Sequence, residues 1–73
     1  MTRKRVLAEV AGKVLRIETP AGSKVAEGDT ILLIECMKME IPLVAPGPGS
    51  ITEILVGEGD SVAEGQPAAM MEV

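Results

Sequence analysis

The amino-acid sequence repeats itself, and this repeat restricts the possible folds more than any other feature. Residues 12–35 align with residues 49–72 at a constant offset of 37, and eight of the 24 aligned positions are identical. The identical pairs are Gly12/Gly49, Ile17/Ile54, Gly22/Gly59, Val25/Val62, Ala26/Ala63, Glu27/Glu64, Gly28/Gly65 and Glu35/Glu72. Because a solenoid needs at least about three stacked repeats, two copies predict a closed, pseudo-symmetric domain built from two similar halves.

Each half has the residue pattern of β-structure. Short segments rich in Val, Ile and Leu alternate with clusters of Gly, Pro, Asp and Ser, as is typical of strands joined by turns. The predicted strands are residues 6–8, 13–18, 30–35, 40–44, 50–56 and 67–72. Residues 29–41 form the longest stretch without Gly or Pro, so a helix remains an alternative there, although the apolar run 31–34 fits a buried strand as well.

Two segments, 22–28 and 59–65, share the pattern Gly-x-x-Val-Ala-Glu-Gly. We interpret the glycines at both ends of each segment as turn residues with positive φ, because glycine adopts that conformation without steric cost. The valine between them then lies in a short strand. The prediction is therefore a pair of equivalent short strands, one in each half of the domain.

One spacing in the repeat departs from strand alternation. Val14 and Ile17 are three residues apart, and so are Ile51 and Ile54 at the equivalent positions. Two residues three apart on a regular strand face opposite sides. If both members of each pair face the core, a bulge or strong twist lies between them in both halves.

Composition excludes several classes of function. The 73 residues fit one domain, residues 1–73, and a start at Met1 with a stop just after the last repeated strand favours a whole, short protein. A net charge of −4 and the absence of aromatic residues argue against nucleic acid as a partner. One cysteine, Cys36, and no histidine exclude an internal disulfide and a Cys/His metal site, which fits a cytoplasmic location. The longest uncharged run, 41–52, holds three prolines, so we expect no membrane association.

The segment between the two copies has an unusual composition for a turn. Cys36-Met37-Lys38-Met39 must reverse the chain if both flanking segments are strands, yet it lacks the Gly, Asn, Asp or Pro that hairpin turns favour. Places where local sequence rules fail are often functional sites. The alternative is that Met37 and Met39 are core residues on one face of a strand and Lys38 points to water.

The segment Glu35-Cys36-Met37-Lys38-Met39-Glu40 resembles the attachment motif of the biotinyl/lipoyl carrier domain family. The resemblance covers nearly the whole chain and is closest to short stand-alone biotin/lipoyl attachment proteins. The carrier domains of biotin-dependent carboxylases are also similar. The resemblance implies an all-β fold, a flattened barrel of two four-stranded antiparallel sheets related by a pseudo-twofold axis.

The resemblance also implies a function and a set of site residues. Lys38 would be biotinylated by a biotin protein ligase, and Met37 and Met39 would mark the site for that enzyme. Glu35 and Glu40 would take part in recognition of the ligase or another partner, or would be solvated flanks of the hairpin. The chain would then be a biotin carboxyl carrier and not an enzyme, with biotin moving CO₂ between biotin carboxylase and carboxyltransferase sites.

Two alternatives remain at this point, a lipoyl carrier and an unmodified structural barrel domain. Lipoyl domains typically carry Asp-Lys-Ala where this sequence has Met37-Lys38-Met39, and structural barrels lack the motif. The first half has no insertion between its turn glycines. We therefore expect no thumb, that is, no inserted loop that protrudes over the biotin.

The repeat also predicts where Lys38 lies relative to the chain ends. An offset of 37 maps Lys38 back to Met1 and forward to position 75, just past Val73. A twofold axis that exchanges the halves therefore places the lysine turn and the chain ends at opposite ends of the barrel.

Overall fold

A computed structural model describes residues 2–73, and in this range the chain forms eight β-strands and no helix. The strands are β1 (Arg3–Leu7), β2 (Gly12–Ile17), β3 (Lys24–Val25), β4 (Thr30–Cys36), β5 (Met39–Val44), β6 (Gly49–Ile54), β7 (Ser61–Val62) and β8 (Pro67–Glu72). The six predicted strands are present, with bounds that differ by up to three residues, and β3 and β7 are the expected short strands between the turn glycines, each of two residues and ending at its valine. The alternative of a helix over residues 29–41 is wrong, because β4 and β5 occupy most of that segment.

The strands form two four-stranded antiparallel sheets that are copies of each other. Their strand orders are β1-β8-β6-β3 and β5-β4-β2-β7. The offset of 37 converts β1, β2, β3 and β4 into β5, β6, β7 and β8, and this exchange turns one order into the other. The repeat therefore determines the architecture, and the all-β, two-sheet fold expected from the sequence is confirmed.

The two sheets enclose one core of aliphatic side chains, and no polar or charged side chain is buried among the described residues. The central strands β4 and β8 supply six of its members, at equivalent positions: Ile31, Leu32 and Ile34 from β4, and Ala68, Ala69 and Met71 from β8. Large residues in one half thus correspond to small residues at two of these three positions in the other. Such complementary volumes allow the interior to fill without voids.

The predicted irregularities in β2 and β6 are confirmed. The register of β2 against β4 shifts between Val14 and Arg16, and that of β6 against β8 shifts between Ile51 and Glu53. The extra residue in each strand lets Val14 be buried while Ile17, three residues later, also packs against the core. The bulges thus reconcile a spacing of three with one inward-facing side.

All four turn glycines have positive φ, as predicted: Gly22 at 94°, Gly28 at 88°, Gly59 at 91° and Gly65 at 85°. Side chains complete three of these turns. Asp29 Oδ2 accepts a hydrogen bond from the Ala26 amide at 2.9 Å, and Gln66 Oε1 accepts one from the Ala63 amide at 2.9 Å, at the equivalent place in the second half. Gly57 donates to Asp60 Oδ2 at 2.8 Å. The turns therefore follow from local chemistry that the sequence already displays.

Gly12 and Gly49 are an identical pair in the repeat, but their role differs from that of the turn glycines and the sequence does not explain it. They begin β2 and β6, and neither has positive φ. A Cβ atom at Gly12 would overlap the backbone carbonyl oxygen of Glu35, and one at Gly49 would overlap that of Glu72. These glycines are required because neighbouring backbones approach closely there.

The domain is elongated, with principal extents of 36, 17 and 17 Å. At one end Thr2 and Val73 exchange backbone hydrogen bonds of 3.2 and 2.9 Å. At the other end of the β1–β8 pair, Leu7 pairs with Pro67. From there, residues 8–11 and 63–66 connect to Gly12 and Val62, which pair in the other sheet beside the end of β4 that leads into the β4–β5 turn. The turn and the Thr2–Val73 pair therefore lie at opposite ends of the barrel, as predicted. Met1, the position equivalent to Lys38, is outside the described residues.

No helix that could cross a membrane occurs between residues 2 and 73.

We predict that Gly12→Ala destabilises the protein by about 1–3 kcal/mol, because the new methyl group would displace the backbone of β4. Gly47→Ala is the matched control, since no atom lies within 4 Å of a Cβ built there and its φ is not positive. It should leave stability unchanged or raise it slightly. Urea unfolding curves measure both; equal midpoints for the two variants would contradict the steric role of Gly12.

Candidate functional site

The chain between the two copies forms a tight hairpin. Across β4 and β5, Cys36 pairs with Met39, Glu35 with Glu40 and Ile34 with Ile41. This register leaves Met37 and Lys38 as the two central residues of the turn. Both have positive φ, 53° and 66°, as a type I′ turn requires.

A type I′ turn normally has Asn or Gly at its centre, because other residues avoid positive φ. Met37 and Lys38 are the two non-glycine residues with positive φ in the range 2–73. A left-handed conformation costs a residue with a Cβ roughly 1–2 kcal/mol. Backbone strain of this kind is concentrated at functional sites, where the surrounding structure holds it in place. Here the paired strands β4 and β5 hold it.

The side chains of the turn are displayed to solvent. Met37 is 90% exposed and Met39 63% exposed, and Lys38 is exposed as well. The alternative that the two methionines are core residues is therefore wrong. Because two large apolar side chains gain nothing from such exposure within the domain, they are available to a partner molecule.

The acidic residues of the motif lie one step below the turn. Glu35 and Glu40 are directly opposite each other on β4 and β5, and both are exposed. On its other side Glu35 is opposite Lys13 of β2. The one ion pair found among residues 2–73 is Arg16–Glu18, so Lys13 does not neutralise either acid within 4 Å. Like charges in a direct cross-strand pair are destabilising, which makes this pair a second local conflict at the same hairpin.

Nothing in the described part of the chain covers the turn. The connection between β2 and β3 spans residues 18–23, and its equivalent between β6 and β7 spans residues 55–60, which is the same length. Neither connection therefore has an insertion relative to the other. No pocket is found on the surface formed by residues 2–73, and these residues contain no group of three or more His, Cys, Asp or Glu side chains arranged to hold a metal ion.

The structure brings together all five residues singled out from the sequence: Glu35, Met37, Lys38, Met39 and Glu40. Two signals in the sequence pointed to this site: the missing turn residues in the segment and the resemblance of residues 35–40 to the attachment motif of the biotinyl/lipoyl carrier domains. The sequence did not reveal that Lys38 itself has positive φ, or that Lys13 lies beside Glu35. What the arrangement offers chemically is a primary amine at the tip of an elongated domain, fit to be acylated inside another protein's active site.

The comparisons with known proteins agree with this geometry. The family model described as "Biotin-requiring enzyme" matches residues 5–71. The "Biotinylated protein TB7.3 homolog" of Mycobacterium leprae is 35% identical over 66 residues, which cover 90% of this chain and 93% of that protein. The "Biotin/lipoyl attachment protein" of Bacillus subtilis is 38% identical over 60 residues and 82% of each chain.

A solved structure shows the same fold within a much larger protein. The urea carboxylase of Kluyveromyces lactis contains a region that superposes with a TM-score of 0.93 and 28% sequence identity. The match covers 99% of this chain but 6% of that one. The chain therefore corresponds to a small part of that enzyme.

We predict that Lys38→Gly is more stable than Lys38→Ala by about 1 kcal/mol, because glycine adopts the left-handed conformation without strain. Both variants lose the amine and the charge, so the pair isolates the backbone term. Thermal and urea unfolding measure the difference. Equal stability of the two variants would mean that the turn is not strained at Lys38.

Proposed function

We propose that this chain, which belongs to the biotin/lipoyl attachment domain family, is a biotin carboxyl carrier domain with Lys38 as its attachment residue. The observation that carries the proposal is the exposed Lys38 between two exposed methionines on a strained turn. A turn that served the fold alone would have the residues that relieve the strain. The proposal treats residues 1–73 as one biotinyl domain.

Attachment requires that the Lys38 amine reach into a ligase. In the ligase, the carboxyl group of biotin would be activated as an ester with AMP. The deprotonated Nζ atom of Lys38 would attack that carboxyl carbon, so that the amide bond forms while the ester bond breaks and AMP leaves. The two-residue turn holds the Lys38 backbone in one conformation, which limits the positions that the amine can occupy. Because the side chain is already exposed, it enters a partner's pocket without first leaving a packed site.

The domain itself contributes position and tethering. Bound biotin would supply the ureido group on which CO₂ is carried in biotin-dependent carboxylases. Neither loading nor transfer of CO₂ is assigned to this chain, which we propose to be a carrier and not an enzyme. Biotin carboxylase and carboxyltransferase are the proposed partners, supported by the structural match to part of a urea carboxylase. A tethered group has a high effective concentration at both sites.

Met37 and Met39 are proposed to select the biotin ligase over a lipoyl ligase. Their thioether side chains are flexible and polarizable, so they can fill an apolar surface around the amine of Lys38. Met37 is exposed for nearly all of its surface, and burial of such a side chain at an interface is favourable by about 1.5–3 kcal/mol. The pair therefore provides both affinity and a recognisable shape.

Glu35 and Glu40 are proposed to guide the domain to a basic surface of the ligase or another partner. Their like-charge pairing weakens the hairpin, and a cation from a partner would relieve that repulsion. Charges at the rim of an interface mainly accelerate encounter. We also propose a cytoplasmic location, because the single thiol of Cys36 cannot form an internal disulfide.

Modification is the first prediction from this proposal. Incubation with a biotin ligase, biotin and ATP should place one biotin on Lys38, and Lys38→Arg should abolish the reaction while it keeps the positive charge. Loss of one charge on the amide should change the formal net charge from −4 to −5. Peptide mass spectrometry locates the group, and biotin on Lys4, Lys13 or Lys24 instead would refute the assignment.

Discrimination between cofactors is the second prediction. Met37→Asp together with Met39→Ala should slow biotinylation at least about tenfold, as for loss of an interface anchor, and should favour lipoylation. Leu55→Asp, which changes an exposed apolar residue outside the hairpin, is the control and should react as the wild type does. Faster lipoylation than biotinylation of the wild-type protein, with matched ligases, would identify it as a lipoyl carrier.

The role of the acidic pair is the third prediction. Glu35→Gln with Glu40→Gln should slow biotinylation at low salt, and the difference from wild type should shrink as salt screens the charges. The same variant should be slightly more stable, by about 0.2–1 kcal/mol, because the cross-strand repulsion is gone. Glu27→Gln with Glu53→Gln changes net charge equally at exposed positions elsewhere. If both double variants slow the reaction to the same degree, net charge alone is responsible.

A further inference from the structure

The two edge strands β1 and β5 occupy equivalent positions in their sheets, yet their residues differ in charge. β1 begins Arg3-Lys4-Arg5, and the equivalent residues that the offset assigns in β5 are Glu40-Ile41-Pro42. Three adjacent positive charges therefore stand where the second half has one negative charge. Because the fold makes the same demands at both places, this difference needs another explanation.

The charges on β1 are not used within the domain. Arg3, Lys4 and Arg5 are exposed, and the ion pair recorded between residues 2 and 73 involves none of them. Glu72 is directly opposite Arg3 on β8, but it forms no ion pair with Arg3 within 4 Å. Three basic side chains in a protein of net charge −4 are thus available to an acidic molecule.

The strand that carries these charges also has a free edge. β1 is the outermost strand of its sheet and pairs on one side, with β8. The backbone N–H and C=O groups on its other side can pair with an added strand, as at other sheet edges that bind extended peptides. Val6 faces the core, so Arg3, Arg5 and Leu7 alternate onto the outer face. Leu7 is 45% exposed and extends this row with an apolar side chain.

We propose that the free edge of β1 binds an acidic, extended segment of a partner protein. The segment adds an antiparallel strand, the orientation of every strand pair in this fold, and places two carboxylates opposite Arg3 and Arg5 and an apolar side chain opposite Leu7. Read from its N-terminus, the bound sequence is an apolar residue, any residue, an acid, any residue and an acid. Each arginine can hold a carboxylate with two parallel hydrogen bonds.

Other occupants fit this edge less well. A second copy of the chain could add either of its edge strands. If β1 paired with β1, the basic side chains of the two copies would repel each other. If β1 paired with β5, Pro42 would lack the N–H group that an added strand needs. A long nucleic acid would extend past one basic strand onto Glu72 and Glu53, and the chain has no aromatic residue on which a base could stack.

The position of this edge gives it a use. Arg3 lies at the end of the barrel where Thr2 and Val73 are paired, far from Lys38. A partner that holds the domain at β1 leaves the hairpin free to reach active sites. This use rests on the proposed function, but the binding itself does not.

The test uses the full chain and a short synthetic peptide that contains Val-Thr-Glu-Thr-Glu, followed by NMR titration at low salt. We expect amide shift changes along residues 3–7 and weaker binding as salt increases. Arg3→Glu with Arg5→Glu should weaken binding at least about tenfold, because two attractive charge pairs become repulsive. Lys13→Glu with Lys24→Glu is the matched control: each exchange subtracts two charges, so both double variants go from −4 to −8. The control should bind like the wild type.

Two further comparisons complete the test. A peptide of the same composition with its two Glu residues adjacent should bind more weakly, and equal binding would overturn the strand-addition geometry. Tighter binding of oligothymidylate or of phosphatidylserine vesicles than of the peptide would overturn the proposed class of partner, as would the absence of shifts at residues 3–7. Lys38→Arg should bind the peptide normally, so failure of the carrier function would leave this result unaffected.

Discussion

The fold depends on the burial of aliphatic side chains between two sheets that have no other support. A chain of 73 residues with no aromatic residue and no possible internal disulfide must obtain its stability from close packing of Val, Ile, Leu, Met and Ala. The central strands β4 and β8 meet this requirement with complementary sizes, large side chains in one and alanines at two equivalent positions in the other. The two bulges and the close contact at Gly12 follow from the same need to bring the strands together.

This packing explains why strain can be kept at the hairpin. β4 provides three fully buried side chains to the core and pairs with β5 up to Cys36 and Met39. The pairing of β4 with β5 therefore fixes the turn. Met37 and Lys38 are held at positive φ although residues of their type disfavour that conformation. A like-charge pair at Glu35 and Glu40 is held by the same ladder. One strand, β4, thus stabilises the core with its buried residues and, at its end, positions the exposed turn that carries Lys38.

Much of the fold could be predicted because the repeat restricts it. Strand positions, the short strands at Val25 and Val62, the bulges and the glycines with positive φ all have local signals that occur twice. The close approach at Gly12 could not be predicted, because the carbonyl oxygen it contacts belongs to Glu35, a residue far away in sequence. The hairpin site was predicted from the turn residues that it lacks together with the resemblance of residues 35–40 to a known attachment motif. Its detailed conformation depends on the β4–β5 register, which sequence patterns leave open by a residue or two.

The hydrogen bonds between Thr2 and Val73 have a topological consequence. By pseudo-symmetry this pair is the counterpart of Cys36 and Met39, which flank the β4–β5 turn. The path of the chain through the eight strands is therefore a nearly closed ring: a turn joins β4 to β5, and only hydrogen bonds join Thr2 to Val73. A connection of two residues there would close the ring and create a second, equivalent hairpin tip. Circular permutants opened elsewhere in such a ring would keep every strand pairing, and one barrel could then present two attachment sites that point in opposite directions.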